Sequence, residues 1–189
     1  IVLGDESGYE LGDVQKVKLA AVEAEWDTHP APASFTIVGV PNSDTQTTDY
    51  ALKVPYALGL IATRSLDKQV LGLKDLKEIH RGRIINGMEA YRLLLLLRGG
   101  DSSEATKTAF EAVKKDLGYG LLLTAYTDNP ANATPAQIQQ AVDNSIPEVA
   151  PMFWAFRIMV AAGFIMLLVF ALAFWFSAKR LEQKPRWFL

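Results

Sequence analysis

Apolar positions follow helical spacing over much of the chain and become continuous only near its C-terminal end. After Asp13, in VQKVKLAAVEAEW, Val14, Val17, Ala21 and Ala24 recur every three or four residues, with Leu19, Val22 and Trp26 as a neighbouring stripe. Asp13 as an N-cap and Pro30 as a stop predict a helix over about 14–26. The next stretch changes period: SFTIVGV and YALKVP carry β-branched and aromatic residues around a polar turn, so a short hairpin or an irregular loop is expected.

From Gly72, Leu73, Leu76 and Ile79 fall on one helical face and Lys77, Glu78 and Arg81 on another, predicting a helix that ends at the Gly99-Gly100 pair, with Gly82 and Gly87 weakening its middle. The run Leu93 to Leu97 is too short to span a membrane and reads as packed helix core. Ser102 or Ser103 can cap a further helix ending near Gly118, and Thr134-Pro135 opens another that stops before Pro147. Ile158 to Ser177 is then an unbroken run of 20 uncharged residues, roughly 30 Å of helix at 1.5 Å per residue, and predicts one membrane crossing.

Charge orients that crossing. Lys179, Arg180, Lys184 and Arg186 follow it against Glu182 alone, which puts the tail in the cytoplasm, whereas residues before 151 carry 14 basic and 20 acidic side chains. Trp154 near one end of the span, and Trp175 and Trp187 near the other, suit interfacial anchoring. The opening IVLGDESG lacks a basic n-region and cannot be a signal peptide, so Ile1 to Leu3 is expected to be the tail of a preceding membrane helix. The whole has 189 residues, a formal charge of −2 and no cysteine, which excludes disulfides, Cys-ligated metals and thiol nucleophiles and makes nucleic acid a poor partner. Two histidines, His29 and His80, exclude a multi-histidine metal site, and no phosphate-loop, dinucleotide, nucleophile-elbow or HExxH motif is present.

Two stretches carry a resemblance when read together: GDESGYELGDVQKVKLAAVEAEW at residues 4–26 and VAPMFWAFRIMVAAGF at residues 149–164. They resemble subunit I of the cytochrome bd-type quinol oxidases, where the first opens the external quinol-binding Q-loop and the second leads into the following membrane helix. The resemblance covers the whole chain, with the region from about Gly59 to Pro135 as the insert of the long Q-loop form. It implies a mainly α fold: a fragment of a polytopic helical membrane protein, with a long, external, mostly helical loop followed by one transmembrane helix. Residues 1–3 would end a preceding span, 4–150 form the loop, 151–178 cross the inner membrane of a bacterium, and 179–189 form the cytoplasmic tail.

Carried over by position, the resemblance implies that Lys18 and Glu23 bind and oxidise ubiquinol or menaquinol, that Met159 is the axial ligand of the low-spin haem b iron, and that Arg157 interacts with that haem. High-spin haem b and haem d would belong to other parts of the subunit. Implied partners are quinol, the other membrane helices of the same subunit, subunit II and small subunits, and the lipid bilayer. The wider complex would reduce oxygen to water, whereas this segment alone would not.

Elementary chemistry constrains these roles. Lys18 and Glu23 are about 140° apart on an ideal helix, so they cannot pair directly but could meet one ligand from two sides. A carboxylate can accept a proton from quinol while an ammonium holds an oxygen. Met159 shares a helical stripe with Met152 and Met166, and Ala162 and Gly163 leave room for a flat macrocycle beside it. Arg157 projects about 200° from Met159 and should meet a haem edge or propionate, or reach the outer interface. The alternative is an exposed helical binding domain held by a single C-terminal anchor.

Overall fold

A computed structural model describes residues 6, 9, 10, 12, 14–28, 30–65, 67–100 and 103–179. Ile1 to Leu3, Asp13, His29, Ser102, Trp187 and the tail beyond Lys179 lie outside them. The elements in chain order are α1 (Lys16–Glu23), β1 (Phe35–Asn42), β2 (Thr47–Val54), α2 (Ala57–Thr63), α3 (Leu73–Arg98), α4 (Glu104–Val113), α5 (Leu117–Gly120), α6 (Pro135–Asn144) and α7 (Val149–Ala178). Short 3-10 turns flank α5 and precede α6. The mainly helical expectation therefore holds, with a small antiparallel sheet added.

The expected helix over 14–26 stops three residues early. Ala24 adopts a left-handed conformation at φ 51°, and the amides of Ala24 and Glu25 turn back to the carbonyls of Ala21 and Ala20 at 3.2 and 2.9 Å. This is the helix-ending pattern that glycine normally serves, here built on alanine. The following residues pair their carbonyls with the start of α3: Leu73 N donates to Glu25 O and Lys74 N to Trp26 O. Gly72 is required at that junction, since a Cβ there would lie 2.3 Å from the Asp27 carbonyl carbon.

The polar turn closes a true hairpin, with Phe35 opposite Val54 and Asn42 opposite Thr47. Asn42 Oδ1 accepts from the amides of Asp44 and Thr45, which fixes the turn. Thr48 clamps β2 onto the end of α1 by donating to Ala24 O at 2.9 Å while accepting from Trp26 Nε1 at 3.1 Å.

Helix α3 runs unbroken through Gly82 and Gly87. Gly87 is a packing position: an added Cβ would lie 2.2 Å from Gly120 N, so α5 crosses α3 backbone to backbone. Of the leucine run, Leu93 is buried while Leu95 and Leu96 are exposed, so one side of the run is core. Ser103 caps α4 by accepting from Thr106 N, and Thr134 and Gln137 form a reciprocal capping box at α6. One cluster, Ala20, Ala21, Ala24, Trp26, Leu73, Leu76, Val149 and Phe153, joins α1, α3 and the first turns of α7. Among the described residues α7 provides the one helix long and apolar enough to cross a membrane.

Candidate functional site

Glu23 is the last residue of α1, and the turn at Ala24 buries it against α7, where its side chain is 2% exposed. Arg157, 134 residues later, donates from Nη2 to Glu23 Oε2 at 2.8 Å. The same guanidinium donates to the carbonyls of Val22 and Thr36, and stacks 3.6 Å from the centroid of the Phe153 ring one turn earlier on α7. Arg157 thus caps the C-terminal end of α1, where free carbonyls and the helix dipole favour a cation. It also ties α1 and β1 to the membrane-spanning helix.

This buried arrangement sets the charge of Glu23. Burial raises its pKa from 4.5 to about 7, against the opposing pull of Arg157 and with a smaller push from Glu25. A carboxyl in that range exchanges protons near neutrality, as a general acid–base group must. Glu25 is buried as well, with Lys53 Nζ 3.4 Å from its Oε1.

Lys18 lies on another side of α1. It is exposed and lines a groove of about 570 Å³ between α1 and α3, bordered by His80, Arg83, Tyr119, Ser145 and Met152. Glu23 is not in that lining. The structure therefore brings together Glu23 and Arg157, whereas Lys18 stands apart from both, as their separation around the helix predicted.

Met159 is 61% exposed on the bare face of α7, two residues beyond Arg157 and turned away from it. A Cβ added at Gly163, one turn on, would meet nothing within 4 Å, so a flat ligand could approach this face closely. No cluster of three or more His, Asp or Glu side chains forms a metal site among the described residues. The Met159 thioether, a soft donor on this open face, is the side chain that could hold a haem iron. On the opposite side of the helix an apolar groove of about 550 Å³, lined by Phe35, Val38, Trp154, Ile158 and Phe164, reaches Arg157.

The sequence left several contributors unseen. Phe153 and Arg157 are four apart on a helix and could have been paired on that spacing. The Thr36 and Val22 carbonyls carry no side-chain signal, and the groove around His80 exists only where four separate segments meet.

The chain is 44% identical over 187 residues to the cytochrome bd-II ubiquinol oxidase subunit 1 of Escherichia coli (strain K12), covering 99% of this chain and 36% of that protein. It is 23% identical over 186 residues to the cytochrome bd ubiquinol oxidase subunit 1 of Bacillus subtilis (strain 168), covering 98% of this chain and 28% of that protein. The chain thus spans about a third of the length of these curated relatives. The family model for cytochrome bd terminal oxidase subunit I matches residues 1–189, and the chain belongs to that family.

Proposed function

We propose that this chain is the quinol-oxidising loop and the following haem-ligating helix of a terminal respiratory oxidase of the bacterial inner membrane. The family match over the whole chain carries the reading, since the E. coli relative is a ubiquinol oxidase subunit. Residues 4–150 form the Q-loop on the outer face, and the basic tail is cytoplasmic.

Quinol oxidation releases two protons and two electrons. In this reading the Lys18 ammonium holds a quinol oxygen and stabilises negative charge developing on it, while the Glu23 carboxyl receives a proton. Arg157 fixes the Glu23 carboxylate and the end of α1, so the loop keeps its register against the helix that bears Met159. Met159 would hold low-spin haem b, which would supply the one-electron acceptor when bound. Arg157, two residues from that thioether, adds a fixed positive charge beside the haem site. High-spin haem b, haem d, subunit II, the small subunits and the remaining membrane helices complete the complex that reduces oxygen.

The test is made on the intact complex. Lys18→Ala and Glu23→Gln should each lower quinol oxidation at least about tenfold, the loss of one charge-assisted contact, with haem spectra nearly intact. Unchanged turnover across a quinol titration would overturn the roles.

A further inference from the structure

The groove beside Lys18 is lined by apolar Val17, Leu76, Ile79 and Met152 together with polar His80, Tyr119 and Ser145. Its volume of about 570 Å³ lies within the range of small-molecule sites. Among the described residues that line it there is no carboxylate, so its charge is cationic, from Lys16, Lys18 and Arg83.

Ser145 Oγ lies 2.7 Å from Val142 O and 2.9 Å from His80 Nδ1. With its one proton given to the Val142 carbonyl, the hydroxyl accepts at His80, and this tautomer, with hydrogen on Nδ1 and Nε2 as a lone-pair acceptor, is the one the proposal uses. Tyr119 packs edge-on to His80 with ring centroids 5.3 Å apart. Its hydroxyl accepts from Arg83 Nη1 at 3.0 Å, leaving the phenolic hydrogen to donate elsewhere. Arg83 is itself held by Asp116 at 2.8 Å, whose carboxylate also accepts from Asn86. A proton acceptor, a proton donor and an ammonium thus line one apolar-walled groove, the set that a planar dihydroxy-aromatic ring requires.

We propose that this groove holds the hydroquinone ring, with His80 Nε2 accepting one of the two protons released and Lys18 and Tyr119 steadying the quinolate oxygen. The inference rests on the quinol-oxidase reading above and adds its ring site and a proton acceptor. In the step, one quinol O–H bond breaks and an Nε2–H bond forms, the bonding pair staying on oxygen as quinolate, and the second hydroxyl proton leaves through solvent to Glu23, the acceptor assigned above. The electrons leave singly to a haem-class acceptor. Burial, with the Arg83 charge as a lesser cause, holds the His80 pKa below 6.5, so the ring is neutral and able to accept at pH 7. The other charged or titratable groups around it are Lys16 and Lys18 of α1, Tyr119 of α5, and the Lys77–Asp143 pair linking α3 to α6.

The assay uses the full complex and two readouts: decylubiquinol binding to the fully reduced, anaerobic protein by calorimetry, and steady-state decylubiquinol oxidation against pH. His80→Ala should weaken decylubiquinol binding about tenfold, as for one lost ligand hydrogen bond. His80→Gln can still hydrogen-bond a hydroxyl but takes no proton, so binding should stay near native while kcat falls about tenfold or more and the acid limb of kcat/KM disappears. Native turnover and an unchanged pH profile in His80→Gln would overturn the proposal. If Lys18→Ala is impaired while both His80 variants behave as native, the groove assignment alone fails; if Lys18→Ala and Glu23→Gln are also native, the quinol reading fails with it. Should the variants not assemble, diethyl pyrocarbonate labelling of His80 in the native, fully reduced, anaerobic complex, read by peptide mass spectrometry, should be slowed by decylubiquinol, and equal labelling with and without it would overturn the proposal.

Discussion

Replacing Glu23 by Gln should remove a pH dependence from the docking of α1 onto α7. The neutral amide copies the protonated acid in shape and charge, so native protein and variant should match at about pH 4 and below. Above that they diverge, because the docked carboxyl has a pKa of about 7 whereas its ordinary value is 4.5. Between those values the docked state binds more protons than the undocked one, so docking weakens as pH rises and the loss is complete above pH 7. The difference corresponds to about 3 kcal/mol at about 1.4 kcal/mol per pH unit. Hydrogen exchange of the amides from Val22 to Trp26 in the intact complex, corrected for base-catalysed intrinsic exchange, would read this directly. The native protein should lose protection between pH 5 and pH 8, up to about a hundredfold, and Glu23→Gln should stay flat. Parallel profiles for the two proteins would refute the assignment of the pH dependence to Glu23.

Two further outcomes test other parts of the structure. Met159→Leu preserves the volume and apolar character of an exposed helix position, so it should remove or alter the low-spin haem b signal in a reduced-minus-oxidised spectrum without loss of the assembled complex; an unchanged haem complement would refute ligation by Met159. Gly87→Ala places a Cβ 2.2 Å from the backbone of Gly120, so it should push α5 off α3 and destabilise the loop by about 1–3 kcal/mol in thermal unfolding, whereas Gly82→Ala, where an added Cβ meets nothing within 4 Å, should not.

The helices were legible because their signals are local. Capping residues such as Ser103 and Thr134, the stop at Gly99 and the twenty-residue uncharged run act within a few positions of one another, and the structure places helix boundaries close to each. The exception is the end of α1. Nothing in KLAAVEAEW marks Ala24 as the break, because alanine is a strong helix former and its left-handed turn is imposed by what the next residues contact: Thr48 on its carbonyl, and the start of α3 on Glu25 and Trp26.

The candidate site divides along the same line. The sequence by itself determined the mainly helical fold, the membrane-spanning helix, the family and the positions of Lys18, Glu23, Arg157 and Met159. It also determined that Lys18 and Glu23 cannot share a helix face, since that follows from residue spacing alone. Only the tertiary structure decided that Glu23 is buried beneath Arg157, and that Lys18 instead shares a groove with His80, Tyr119 and Ser145. Burial and cross-chain hydrogen bonds depend on which distant segments meet, and a carboxyl's pKa depends on the solvent that those segments exclude.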